Sequence, residues 1–342
     1  MTRYILKRLG LIFFTAFIIL SLTFILMKSL PSDFPVGTID ARIAFYENQV
    51  RLGYYFHVDP SQVQLAEVII IRGTERYLYA QHTVMYQYFQ WIGNIAREWD
   101  WGTSTKISLN ESAIDIIAKR IPYTIRLNIL ALFIAVPLGF TFGIWAALKK
   151  NKPTDHIIST FVMVFISIPG FVIISYLMAI FAYGLGWLPS QWPADSSPAN
   201  VRAMGYIIPV AALCFGTIAG FARYTRAELT EVMSSEFLLL ARTKGLTRRQ
   251  TVIRHAMRNS MVPIVPMIIG QFIGILSGSI VLENLYGIPG IGSLFVTALT
   301  QKDYNVIMVD MAIFTLIGLF AALLVDLSYG IVDPRIRMGA RK

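Results

Sequence analysis

Leu127-Asn-Ile-Leu-Ala-Leu-Phe-Ile-Ala-Val-Pro-Leu-Gly-Phe-Thr-Phe-Gly-Ile-Trp-Ala-Ala-Leu148 runs for twenty-two residues without a charge. About twenty apolar residues carry a helix across the hydrocarbon of a bilayer, so the stretch predicts a transmembrane span. The pattern recurs on both sides. Leu9–Met27, Ile157–Ala194, Ala203–Ala222 and Asn259–Leu282 are also charge-free, and Val306–Val332 is interrupted only by Asp310 and Asp326. The run from Ile157 is too long for one crossing. Gly184-Leu-Gly-Trp-Leu-Pro189 is turn chemistry with an interfacial tryptophan, so that span is expected to end near Tyr183. Arg3, Lys7 and Arg8 precede the first run, which is too long for a signal-peptide core and ends in no small-x-small site, so it reads as a retained span. The result is an all-α integral membrane chain of six transmembrane helices. Composition agrees: 55% of the 342 residues are hydrophobic and 15% charged, against roughly a quarter charged in soluble domains.

Six spans put both termini on one side. The segments on that side carry Arg3, Lys7 and Arg8; Lys149, Lys150 and Lys152; eight residues from Arg223 to Arg258; and four in the tail from Arg335. That is eighteen of the thirty basic residues, accompanied by only five acids. Cytoplasmic segments collect lysine and arginine, so both termini are expected in the cytoplasm. The same asymmetry explains the net charge of +10 without a nucleic-acid partner. Between spans one and two lies an outer segment rich in Tyr54, Tyr55, Tyr86, Tyr88, Trp91, Trp99 and Trp101. Those aromatics suit a small accessory domain with interfacial rings, or a docking surface for an external partner. Cys214 is the one cysteine, which excludes an internal disulfide and a thiolate cluster, and the four histidines show no metal-ligand spacing.

Enzyme chemistry is not apparent. There is no phosphate-binding loop, no Gly-x-Ser-x-Gly and no His-Glu-x-x-His. The long cytoplasmic loop reads Glu236-Phe-Leu-Leu-Leu-Ala241-Arg-Thr-Lys-Gly245-Leu-Thr-Arg-Arg-Gln-Thr-Val-Ile-Arg254-His255-Ala-Met-Arg-Asn259-Ser-Met-Val-Pro263. Glu236 to Lys244 is expected as a helix that Gly245 ends, with basic residues in its last turn. A second helix is expected near Thr247, whose hydroxyl can cap it, running into span five. The product is a short helix–glycine–helix knob, where small Ala241 and Gly245 would let a partner approach. A basic loop that happens to be helical is the plainer alternative.

The wording of that loop resembles the cytoplasmic signature of bacterial ABC importer permeases, in the dipeptide/oligopeptide/nickel branch. Further pieces resemble the family in order: Arg120-Ile-Pro-Tyr-Thr-Ile-Arg-Leu127, Ser167-Ile-Pro-Gly-Phe171, Ala222-Arg-Tyr-Thr-Arg226, Gly278-Ser-Ile-Val-Leu-Glu283, Tyr286-Gly-Ile-Pro-Gly-Ile-Gly292, Lys302-Asp303-Tyr304 and Asp333-Pro-Arg-Ile-Arg337. Each is weak alone, while their joint order is specific. Leu239 and Leu240 replace the first two positions of the general Glu-Ala-Ala pattern, and Asn305 stands where the family often has proline, a departure expected to matter little.

The resemblance implies a type I ABC importer permease fold with an extracytoplasmic insert after helix one, and specifically the first of two permease subunits. It implies an N-terminal part at 1–30, an extracytoplasmic segment at 31–116 and a membrane domain at 117–337 with a coupling loop at 227–262. In that loop Glu236, Ala241, Arg242, Lys244, Gly245, Arg254, His255 and Asn259 would engage an ATPase. The implied partners are a second permease, two cytoplasmic ATPase subunits that hold ATP and Mg, an extracytoplasmic solute-binding protein, membrane lipid and a peptide substrate. No cofactor or metal is expected in this chain, and no catalysis. A nickel or other small-solute permease, or an ion-driven transporter, are the alternatives.

Gly270, Gly274 and Gly278 recur four apart in span five. That spacing allows close helix packing, or lines a path with room for a bulky substrate. The candidate path and gate residues are Gly270, Gln271, Gly274, Ser277, Gly278, Glu283, Asn284, Gly287 and Pro289. Segment 284–292 reads as a sheltered re-entrant turn. Asp310 and Asp326 are expected near opposite membrane faces, within reach of water or a basic neighbour.

Overall fold

A computed structural model describes residues 2–30, 37–274 and 280–332. Among the described residues four helical stretches are long and apolar enough to span: α1 (Thr2–Ser29), α4 (Ala113–Leu148), α7 with α8 (Ala199–Met204 and Ile207–Met233) and α14 (Tyr304–Val332). Two broken pairs raise the count to as many as six: α5 with α6 (Pro153–Ser167, Gly170–Leu177) and α12 with α13 (Ile280–Tyr286, Ile291–Gln301). Between these lie α2 (Ile39–Arg51), β1 (Tyr55–His57), β2 (Val68–Arg72), β3 (Glu75–Gln81) and α3 (Val84–Glu98). The remaining helices are α9 (Glu236–Thr243), α10 (Arg248–Thr251) and α11 (Met257–Gly274). The fold is therefore a helical membrane fold, and the segment after α1 adds the only strands among the described residues.

Span three differs from a straight crossing. Pro169 supplies no N–H, Ile168 is extended at ψ 121°, and α5 and α6 meet at 100°. A proline inside a helix removes the bond to the carbonyl four residues back, here that of Phe165. A π-helical stretch, Met178–Gly184, then ends the span where turn chemistry was expected. Span two is longer than its charge-free run. At 36 residues α4 extends about 54 Å, so its first turns, with Asp115, Lys119 and Arg120, lie beyond a hydrocarbon layer of roughly 30 Å.

The chain forms two compact units. Of the described residues, one takes in those up to Pro122 together with Gly290–Leu319, the other those of 123–289 and 320–332. In the first, an antiparallel sheet in the order β1-β3-β2 lies under α2, with Phe45, Tyr46, Val68, Ile70 and Tyr79 buried between them. The α3 helix packs on α1. Phe24 stacks on Trp91 at 4.8 Å, and the hydroxyls of Ser21 and Tyr88 share a hydrogen bond of 2.7 Å. Tyr54, Tyr88, Trp91 and Trp101 are core, whereas Tyr86 and Trp99 are exposed. The aromatic richness of the outer segment thus builds its own core and its seat on α1.

In the second unit α8 is central. Half of its apolar window is buried, against 22% for α1, whose exposed Phe13, Phe14 and Phe17 suit a lipid-facing surface. The α5, α6 and α11 helices pack on α8. The α4 helix approaches it through Gly139 and Gly143, a small-x-x-x-small pair that brings helices close. A Cβ on Gly143 would lie 2.5 Å from the Thr225 Cβ and 2.8 Å from the Ala222 carbonyl. Cys214 is buried on α8, its thiol donating to the Ala131 carbonyl at 3.3 Å. Asp310 is fully buried in α14 rather than facing water, while Asp326 is half-buried. Gly143→Leu is expected to destabilise the second unit by about 1–3 kcal/mol through overpacking. Gly216→Ala, with nothing within 4 Å of its new methyl, should be silent. Thermal loss of the monodisperse peak in size-exclusion chromatography compares the two.

Candidate coupling knob, translocation path and outer clamp

The loop after α8 folds as a knob. Gly245 ends α9 at φ +89°, a left-handed conformation that favours glycine. Its N–H donates to the Arg242 carbonyl at 3.0 Å, and that of Leu246 to the Ala241 carbonyl at 3.4 Å. These are the paired bonds of a Schellman cap. Thr247 then starts the next helix reciprocally: its Oγ1 accepts from the Gln250 N–H at 3.4 Å, and its own N–H donates to Gln250 Oε1 at 3.0 Å. That capping box satisfies two orphan donors at once. The helix runs on through α10 and a π-helical stretch, Val252–Ala256, into α11 with little interruption.

The knob is seated by Leu238 and Ala256 against Ala147 and Leu229, with Met233 and Met257 beside them. Ala241 is also buried, at 9%. A small side chain there suits the knob's own packing. Glu236, Arg242, Lys244, Gly245, Arg254, His255 and Asn259 are exposed. So are Phe237, Leu239, Leu240 and Ile253, giving an outer surface both basic and apolar.

The path candidates divide. Gln271 is exposed on α11 and lines a cleft of about 240 Å³ with Thr217, Gly216, Gly220, Ile168 and Gly170. Gly270 faces the Val325 side chain, where a Cβ would rest at an ordinary 3.5 Å. Gly274 is the last residue of α11, and Ser277 and Gly278 lie outside the described residues. Glu283 is fully buried and accepts a hydrogen bond from Thr124 Oγ1 at 2.8 Å, which ties α12 to α4. Asn284 is exposed, Gly287 turns the chain at φ +72°, and Pro289 is half-buried. Tyr286 opens one of the family-like pieces but was not among the candidate path residues. It is fully buried, its hydroxyl donates to the Pro189 carbonyl at 2.8 Å, and its carbonyl accepts from the Trp192 N–H at 2.9 Å. The turn after span three is therefore pinned to α12.

A clamp in the first unit was only partly legible. Asp303 is fully buried at the start of α14. Its carboxylate accepts from Ser104 Oγ at 2.5 Å and from the backbone N–H groups of Thr105, Lys106 and Ile107 at 3.0–3.2 Å. Successive N–H groups turned inward make an anion-binding nest. Asn305 adds a bond of 2.7 Å to the Thr103 carbonyl, and its amide packs on Gly102, which sits at φ +92°. Proline at 305 would supply no such donor. Asn305 therefore has a defined role, contrary to the expectation that the departure matters little.

The chain belongs to the family of binding-protein-dependent transport system inner membrane components, whose model matches residues 139–338. It is 38% identical over 253 residues to the oligopeptide transport system permease protein OppB of Haemophilus influenzae, covering 73% of this chain and 80% of that protein. It is 33% identical over 339 residues to the dipeptide transport system permease protein DppB of Lactococcus lactis subsp. cremoris, covering 99% and 100%. The DppB of Bacillus subtilis is 31% identical over 339 residues, with 99% of each covered. Among solved structures, a chain of an amino acid ABC transporter crystallised with histidines aligns at 19% identity and a TM-score of 0.49, over 63% of this chain and 94% of that one. Family membership makes the chain a multi-pass membrane permease subunit of an importer.

Asp303→Ala leaves three backbone donors and a hydroxyl without their acceptor, and is expected to cost about 3 kcal/mol. Faster hydrogen exchange over 103–108, with the knob unchanged, is the expected reading.

Proposed function

We propose that this chain is one of two permease subunits of an ATP-driven importer of short peptides in the cytoplasmic membrane, with both termini in the cytoplasm. The observation that carries the reading is the knob. Its outer face exposes Leu239 at 65% and Leu240 at 57% on a helix of eight residues, ringed by basic side chains. Contiguous apolar surface of this kind favours cover by a partner. Oligopeptide and dipeptide permeases among the relatives support the substrate class. The excess of lysine and arginine on the knob side supports the orientation.

In this reading the knob docks on a cytoplasmic ATPase subunit, and a pair of such subunits holds ATP and Mg. Closure of the pair displaces the knob. The capped junction at Gly245–Gln250 resists bending, so the displacement passes along α10 into α11, which carries Gln271 to the path. Glu283 and Tyr286 hold the far end of the path to α4 and to the turn at Pro189. Segment 284–292 acts as the outer gate, and a second permease completes the enclosure. A solute-binding protein delivers peptide from outside. The spans then alternate between facing outward and inward around the peptide.

Gly245→Asp is expected to bring uptake of a labelled tripeptide to background and to remove ATPase subunits from the purified complex. Gly245→Ala imposes the same left-handed strain, about 1–2 kcal/mol, without the charge, and is expected to keep partial uptake. Wild-type uptake by Gly245→Asp would overturn the coupling role.

A further inference from the structure

The turn between α4 and α5 is built more firmly than a simple connector requires. Asn151 sits at φ +62°, and the Lys152 N–H donates to the Lys149 carbonyl at 2.9 Å. Asp155, 1% exposed, accepts from the Asn151 N–H at 2.9 Å. It also takes both arms of the Arg226 guanidinium, Nε at 2.5 Å and Nη2 at 2.8 Å, and the Ser159 hydroxyl at 3.3 Å. A two-pronged arginine–carboxylate pair fixes geometry as well as charge. The turn is thereby fastened to α8.

Asp155 is the one acid of this turn, and Arg226 occupies both its oxygens. Among the described residues no carboxylate pairs with Lys149, Lys150 or Lys152. These three lysines line a cleft of about 360 Å³ together with Ala147, Leu148, Met233, Thr230 and Ser234. Cationic and hydroxyl side chains beside apolar ones fit a ligand with an anionic head and an apolar body. Its depth points the same way. The lysines follow directly on an apolar run, and Trp145, in the last turn of α4, is 50% exposed. Tryptophan prefers the level of the lipid headgroups.

We propose that this cleft binds the phosphate of an anionic phospholipid of the cytoplasmic leaflet. The proposal rests on the orientation given above. Basic pockets between span ends on that side select anionic headgroups. Asp155 and Arg226 act as positioning residues, holding the lysines in place. Ala147 and Met233 also pack under Leu238 of the knob, so an occupant of the cleft braces the floor on which the knob sits.

The test uses the full-length chain purified in detergent, with phosphatidylglycerol, phosphatidylcholine of the same acyl chains, or inorganic phosphate added, and binding read by native mass spectrometry. Phosphatidylglycerol is expected to bind and phosphatidylcholine not. Lys149→Gln, Lys150→Gln and Lys152→Gln combined should weaken binding on the order of tenfold or more, and the triple arginine variant should restore it. Undiminished binding by the glutamine variant overturns the proposal. So does competition by inorganic phosphate at equal concentration, which would mark a free-anion site. Unchanged lipid binding with loss of copurified ATPase subunits would assign the lysines to the partner instead. Labelling of Lys150→Cys by an impermeant maleimide from outside the cell would overturn the orientation and, with it, the leaflet.

Discussion

A carboxylate cut off from water must find its donors within the protein, because burying it unanswered costs far more than one contact returns. Besides Asp310 within α14, three carboxylates among the described residues are at most 1% exposed: Asp155, Glu283 and Asp303. Each stands where the helical path changes direction. Asp155 is at the reversal from α4 to α5, Glu283 one turn before the break at Gly287, and Asp303 at the corner between α13 and α14. Their donors come from distant elements: Arg226 on α8, Thr124 on α4, and the loop from Ser104 to Ile107. Apolar side chains in a bilayer gain little by exchanging lipid for protein. Directional contacts of this kind then decide which helix end meets which.

The helical membrane class was legible because twenty charge-free residues carry one meaning in a chain of this composition. The knob was legible because its signals are local. Gly245 after a basic turn, and Thr247 three residues before Gln250, act within a few residues of themselves, and the structure places both caps where the pattern put them. Extents were less legible. The α4 helix begins fourteen residues before its charge-free run, since nothing in Asp115, Lys119 or Arg120 ends a helix. The bend at Pro169 was hidden inside an apolar run that hydropathy treats as uniform.

Long-range contacts left the weakest trace. Asp303 and Ser104 are 199 residues apart, and no spacing rule links them. Gly139 and Gly143 carry the small-x-x-x-small pattern in plain view, as do the glycines of span five. In the structure neighbours crowd both Gly139 and Gly143, while Gly270 has ordinary room. The aromatics of the outer segment show the same ambiguity. Composition cannot separate a ring that fills a core from one that awaits a partner, and burial assigns Tyr54, Tyr88, Trp91 and Trp101 to the core.

Cys214 has a practical consequence. It is the single thiol of 342 residues, it is buried, and its S–H is turned to the Ala131 carbonyl. Bulky sulfhydryl reagents will find little to react with in the native chain. Spin labels or fluorophore pairs can therefore be attached through cysteines introduced at will, without first deleting the native one. Distances between the knob, residues 284–292 and the segment after α1 can then be followed in the protein as it stands.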